Sequence, residues 1–427
     1  MPVLKYLIFN MFFVLTTKMF GFSNPKSVNL IKQNLLGERL KLIEIQSNGT
    51  YFHYLRGGIR NSYLKFKQEG KGRVAFVGGS ITYNSGWRDS ICNYLRNRFP
   101  ETTFDFISAG ISSMGSTPAA FRLDRDVFKY GPVDLIFEEA AVNDALNFRT
   151  DKEQLLAMEG IVRHVRRHNS KCDIVLLHFA DTSKINTYNR GKEPGVIKNH
   201  ESVAIHYNIS SINIAKEVTQ RINSGEFNWE DDFKDLHPSP FGQGIYFSSI
   251  KAFLEEAWSG QISNSGKLLD YNLPKALHGG NYQYGELIPI YKLNQQRGWY
   301  FMPNWNPKDG KATRANYTNV PMLVSESFGI EYKYKFKGDA VGIAIAAGPD
   351  AGIIEYCIDN GKWKKQDLFT KWSSGLHIPW YFTLGSELEF GKHSLKIRML
   401  KEKNPQSKGN ICRIRYFYVN NKGDKLK

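Results

Sequence analysis

Between Arg73 and about residue 258 the chain alternates short β-branched apolar runs with amphipathic stretches of helical length, and this constrains the fold more than any other feature. Alternating strands and helices build βαβ units, in which parallel strands form one sheet and the crossover helices cover its faces. The runs 74–77, 104–107, 133–137 and 173–177 predict strands. The stretches 87–99, 119–128, 152–168, 203–222 and 241–258 predict helices, with Pro100 and Pro132 marking ends. The Gly/Ser-rich stretch 259–266 then reads as the exit from a domain spanning 71–262, followed by a loop-rich linker over 263–285. Beyond it the period changes to two. Segments 328–336, 341–345, 353–358, 393–399 and 412–418 alternate apolar and polar residues, separated by turn signals such as Asp359, Asn360 and Gly361. This predicts a second domain over 286–427, an antiparallel β-sandwich of jelly-roll type.

A length of 427 residues fits two such domains, and an apolar fraction of 41% with 14% aromatics supplies two cores. The formal charge of +16 favours acidic partners. Lys and Arg are spread along the chain, with no zinc-finger spacing, RNP-like motif or basic helix, which argues against nucleic acid. An acidic polysaccharide or an anionic cell envelope remains as a partner, beside the plain reading of a solvated basic surface.

Lys5 followed by the apolar run 6–15 reads as a secretory signal peptide over 1–22, with a lead-in segment over 23–70. The run is shorter than the roughly 20 residues that span a bilayer, so no integral membrane span is expected after cleavage. The first cysteine is Cys92, so no lipobox cysteine precedes the domain, and the expected location is secreted or periplasmic. Cys92, Cys172, Cys357 and Cys412 fit either disulfides or buried small apolar residues. Neither they nor the scattered histidines show metal-ligand spacing, and neither a metal nor a cofactor is expected.

Four segments at strand ends carry the chemistry. Gly78, Gly79 and Ser80 end the first strand, and 108–116 follows the second. Asn143 and Asp144 follow the third, and Asp235 and His237 precede the last helix. All fall at the carboxyl edge of the predicted sheet, where open α/β folds bind ligands. Taken singly, each has a structural reading: an ordinary turn at Gly79 and Ser80, a helix-capping pair at Asn143 and Asp144, a loop histidine at His237.

In this order the four segments resemble the sequence blocks of the SGNH, or GDSL-type, esterase family. The resemblance covers about 73–246 and includes Ser239, Pro240, Phe241, Gly242 and Gln243 after the histidine. It implies a flavodoxin-like three-layer α/β/α domain and a serine esterase mechanism. Ser80 would be the nucleophile and His237 its base, with the Ser80 backbone N–H and the Asn143 amide in the oxyanion hole. Two positions depart from the family pattern. Ser113 stands where the oxyanion glycine is usual, with Gly110 as the alternative if the register differs. Lys234 stands where the acid is usual, leaving Asp235, Asp232 or a backbone carbonyl to orient His237. Asp144 reads as structural. The aromatics of the second domain fit either core or sugar platforms. These readings imply an esterase removing short acyl groups, foremost acetyl, from carbohydrate. A noncatalytic carbohydrate-binding protein on the same scaffold and a lipid-active esterase are the alternatives.

Overall fold

The structure, a computed structural model, describes residues 52–259 and 266–423; the segment 1–22 read as a signal peptide and residues 23–51 of the lead-in lie outside them. Its first sheet has the spatial order β1 (His53–Tyr54), β6 (Ser210–Ile212), β5 (Asp173–Leu177), β4 (Leu135–Glu138), β2 (Lys71–Gly78), β3 (Thr103–Gly110). All neighbours are parallel except β1, which runs antiparallel to β6 at the edge. The five parallel strands thus follow the doubly wound order in which the chain starts near the middle and switches direction beside β2. Strand β4 and strand β5 are buried along their whole length, as strands covered on both faces must be.

Residues 52–70 belong to this domain. They supply β1 and the helix α1 (Arg60–Glu69), whose Phe66 packs on Phe104 and Trp258 and whose Ser62 N–H donates to Asp173 at 2.6 Å. The single helix expected over 203–222 is interrupted. At Asn208 the backbone turns through a positive φ of 52°, and β6 forms before a new helix, Ile214–Asn223, begins. Ser210 and Ser211 are fully buried in that strand, and the Ser210 hydroxyl donates to the Leu55 carbonyl at 2.6 Å, so edge pairing overrides the helical pattern.

The C-terminal region consists of two antiparallel sheets, one ordered β8 (Tyr300–Trp305), β10 (Val320–Ser325), β17 (Cys412–Asn420), β12 (Ala340–Ala347), β15 (Leu376–Gly385), β9 (Ala312–Thr313), with β7 (Gly285–Pro289) also on β17. The β9–β15 pair is parallel. The other sheet is β11 (Tyr332–Gly338), β16 (Gly391–Met399), β13 (Ile353–Ile358), β14 (Lys364–Asp367). Tyr334, Ile354 and Ile397 from one sheet and Ile343, Ile345 and Phe417 from the other form one apolar cluster between them. All four cysteines are buried and unpaired with one another. Among the described residues no helix is long and apolar enough to cross a membrane.

The cores of the two regions are not separate. A helix, α4 (Ser116–Asp126), buries Phe121 against Tyr282 and Tyr418, with ring centroids 4.8 and 4.4 Å apart, so one cluster runs from the parallel sheet into the β-module. The connecting chain has no helix or strand over 266–284, yet it is pinned. Leu277 and His278 N–H groups donate to buried Glu159 at 2.6 and 2.9 Å, and Tyr271 donates to Asp173 at 2.5 Å.

Candidate active site

Ser80 opens a four-residue helix, α2 (Ser80–Tyr83), directly after β2. The two glycines before it are required for space. A Cβ at Gly78 would lie 2.4 Å from Thr82 Oγ1, and one at Gly79 would lie 1.9 Å from Asn143 Oδ1, closer than any real contact. Without side chains there, α2 and Asn143 both approach the end of β2, and the Ser80 hydroxyl emerges at the carboxyl edge of the sheet.

His237 arrives from the other side of the sheet edge, in the turn between a π-helical turn, Trp229–Phe233, and the last helix, Pro240–Ala257. Ser239 fixes this turn. Its hydroxyl accepts from Gly242 N–H at 3.3 Å, donates to the Asp232 carbonyl, and leaves Pro240 at the first helical position, where no N–H is needed. His237 Nε2 lies 2.8 Å from Ser80 Oγ. Residues 157 apart in the chain thus meet at hydrogen-bond distance.

The acid side is looser. Asp235 Oδ1 accepts from the His237 backbone N–H at 2.5 Å and lies 3.8 Å from Nδ1, beyond hydrogen-bond length. The Asp235 carboxylate, 69% exposed, is therefore bonded to main chain and faces solvent. The Asp232 carboxylate accepts from Asn228 N–H at 2.8 Å. Lys234, at the usual position of the acid, adopts φ 77° and ψ −58°, a conformation that strains a residue with a Cβ.

Asn143 sits on α5 (Ala141–Leu146), is 8% exposed, and its amide makes no hydrogen bond among the described residues. Its neighbour Asp144 is fully buried and accepts from Ser116 N–H at 2.9 Å, with His200 Nε2 at 3.1 Å from its other oxygen. That ties α5 to the start of α4 and gives Asp144 the structural role its sequence position suggests. Ser113, in that loop, has φ +72°, the left-handed region that favours glycine. Gly110 is the last residue of β3, where a Cβ would meet Tyr83 N at 2.5 Å, so it makes room for α2.

One contact at this site has no sequence signal. The Ser113 hydroxyl accepts from Arg314 Nε at 3.3 Å and Nη2 at 3.0 Å, although Arg314 belongs to the β-module. The Ser113 carbonyl accepts from Asn147 Nδ2 at 2.9 Å, so the loop is held from both sides.

Behind α5, Glu139 Oε1 accepts from Val142 N–H at 3.0 Å. Complete burial pushes the Glu139 carboxyl up from 4.5 to about 7, against the opposing effect of that hydrogen bond and of Lys184. A carboxyl whose folded value is raised binds more protons folded than unfolded, so its contribution falls as pH rises from 4.5 through 7. Glu139→Gln keeps an acceptor for Val142 and removes the charge. Thermal unfolding should show the variant matching the parent near pH 4.5 and exceeding it by roughly 2 to 3 kcal/mol at pH 8; parallel curves at both pH values would contradict this.

Residues 76–245 match the sequence model of the GDSL-like Lipase/Acylhydrolase family. No curated protein sequence matches the chain. Among solved structures, a two-domain esterase (CEX) active on acetylated mannans superimposes with a TM-score of 0.67 at 19% identity, covering 86% of this chain and 97% of that one. The same esterase co-crystallized with mannopentaose gives 0.65 at 18%, covering 88% and 100%. At such identity the likeness is one of fold, and it extends over both the parallel sheet and the β-module. The segment that matches the GDSL-like Lipase/Acylhydrolase model thus carries a serine and a histidine in contact at its sheet edge.

Proposed function

We propose that the protein is a serine esterase that removes acetyl groups from carbohydrate, with Ser80 as nucleophile and His237 as general base. The observation that carries this is the 2.8 Å contact between His237 Nε2 and Ser80 Oγ at the end of β2. Ser80 Oγ attacks the ester carbonyl as His237 Nε2 takes its proton; the imidazolium returns that proton to the leaving sugar hydroxyl, and water repeats the sequence on the acetyl-enzyme. Charge developing on the carbonyl oxygen is met by the Ser80 N–H, the Asn143 amide and the Ser113 N–H. We favour Ser113 over Gly110 because the left-handed backbone falls at Ser113, whereas Gly110 is packed under α2.

Asp235 acts in this scheme by fixing the His237 backbone, since its carboxylate holds the main-chain N–H. Asp235→Asn should therefore lower kcat/KM by no more than about tenfold, far less than the roughly 10⁴-fold loss seen when an acid bonded to Nδ1 is neutralised. A loss approaching the larger figure in p-nitrophenyl acetate hydrolysis would place the carboxylate on Nδ1 during turnover.

Acetyl on carbohydrate is favoured because the superimposable esterase acts on acetylated mannans and shares both regions of the fold. The signal-like N-terminus adds a secreted or periplasmic site of action. Acetate release from acetylated mannan and xylan, with p-nitrophenyl acetate compared against p-nitrophenyl palmitate, tests the reading. Release from a polysaccharide and preference for the short ester are expected; preference for the long chain would favour a lipid substrate.

A further inference from the structure

Two cations of the β-module that no acid neutralises touch the segments that flank the Ser80 site: Arg314 the loop holding Ser113, and Lys371 the ring of Phe148 after α5. Arg314 follows β9 directly. The segment leading to it is anchored by the Thr313 hydroxyl on the His377 carbonyl at 2.7 Å and by Asp309 on His377 Nε2 at 3.0 Å. Thus braced, Arg314 spends its Nε and Nη2 donors on the Ser113 hydroxyl and keeps Nη1 without a partner among the described residues. Lys371 precedes β15. Its ammonium lies 4.0 Å from the centroid of the Phe148 ring and 4.5 Å from that of Trp372, so one aromatic from each region clamps it. Phe148 follows Asn147, the residue that holds the Ser113 carbonyl, and is 74% exposed. Arg314, Ser113, Asn147, Phe148, Lys371 and Trp372 therefore form one unbroken chain of contacts along the margin of the site.

A charged side chain half removed from water without a counter-ion, as Arg314 is, is unfavourable, and such groups in folded proteins are ordinarily paired. Arg314 and Lys371 are each shifted toward the neutral form by desolvation alone, with no carboxylate acting against it. Ring faces attract a cation, yet they leave its net charge in place. What they add is order: a flexible lysine stem held between two rings presents its charge in a fixed place and loses less entropy when a ligand arrives. Across the described residues most arginines beside the domain junction do have acidic or carbonyl partners, Arg149 with Glu153 and Tyr381 for example. The half-buried Arg314 stands out against that background, and the exposed Lys371 is set apart by the two rings that order it.

We propose that Arg314 and Lys371 form a subsite for an anionic group, carboxylate or sulfate, on the sugar chain whose acetyl ester lies over Ser80. The subsite rests on the esterase reading for its geometry, and it makes the β-module a contributor of substrate recognition at the catalytic centre. An acidic sugar would offer oxygens to Arg314 Nη1 and Lys371 Nζ, charge-assisted hydrogen bonds stronger than those a neutral hydroxyl can make. Arg314 also links recognition to chemistry, because the residue it holds through the hydroxyl is Ser113, whose N–H faces the oxyanion in the scheme above.

The test measures binding, so that it stands apart from turnover. Full-length Ser80→Ala protein is titrated with trigalacturonate, with a sulfated carrageenan oligosaccharide and with neutral mannopentaose by calorimetry. At least one acidic probe should bind about tenfold more tightly than the neutral one, which of the two identifying the anion. In the same background Arg314→Gln and Lys371→Gln should each shrink that preference several-fold. Raising the salt from 50 to 500 mM should shrink it in the otherwise unaltered protein, a readout that needs no altered rim residue to fold. Equal or weaker binding of both acidic probes, or a preference that both substitutions leave unchanged whatever its response to salt, would overturn the subsite. Failure of the parent protein to hydrolyse p-nitrophenyl acetate would instead count against the esterase reading, and the binding result would still stand on its own.

Discussion

His237→Ala should lower kcat/KM for p-nitrophenyl acetate on the order of 10⁴-fold or more, and Ser80→Ala should do the same. The basis is the 2.8 Å contact between Nε2 and Oγ: a serine hydroxyl is a weak nucleophile until a base takes its proton, and among the described residues no other group is recorded bonded to Ser80 Oγ. Because the two residues act as a unit, the double variant should be no slower than either single one. Folding is not expected to suffer. The His237 side chain is 48% exposed, and the surrounding turn is held by Ser239 and by the main chain of Phe233 and Trp229. Circular dichroism and thermal unfolding of the variants should overlay the parent. A residual rate within tenfold of the parent would remove His237 from the mechanism.

The second large effect is expected at Asn143. Its amide is buried, bonded to nothing else among the described residues and pressed against Gly79, one residue before the nucleophile. A donor held ready in a water-poor site is worth most when charge appears on the carbonyl oxygen, so Asn143→Ala should lower kcat about 10²- to 10³-fold while leaving KM nearly unchanged. Gly79→Ala supplies an independent approach to the same side chain. Its Cβ would fall 1.9 Å from Asn143 Oδ1, so the amide must leave its place. The two substitutions should therefore give losses of similar size that do not multiply in combination. A rise in KM at constant kcat in steady-state kinetics would make Asn143 a ground-state binding group instead.

Much of this arrangement was legible in the chain because its elements are local in sequence. The stretches 74–77, 135–137 and 174–177 inside β2, β4 and β5 are unbroken apolar runs, as inner strands buried on both faces must be, whereas the edge strand β3 alternates. Ser80 and Asn143 follow such runs and His237 precedes the last helix, so their meeting at one edge followed from the order of the elements. The break at Asn208 was hidden because Ser211 and Ile212 pair with β1, a two-residue edge strand whose partner is 150-odd residues away. Arg314 was invisible for the same reason: its target Ser113 lies 201 positions earlier, and neither residue type signals the other. The division into two cores also fails at long range, since Phe121 and Tyr418 look like ordinary members of separate amphipathic elements until α4 is laid on β17. The acid at His237 was ambiguous in the sequence for a physical cause. Lys234 occupies a strained turn, and the carboxylate that follows it is captured by the backbone N–H of His237 before it can reach the ring.

The claim beneath all of this is that Ser80 Oγ becomes covalently acylated. Incubation of the purified protein with a fluorophosphonate, followed by peptide mass spectrometry, tests it directly. The account predicts a single adduct, on the peptide containing Ser80, formed in step with the loss of esterase activity and absent in His237→Ala. Full activity alongside an unmodified Ser80, or inactivation with the adduct on another residue, would contradict it.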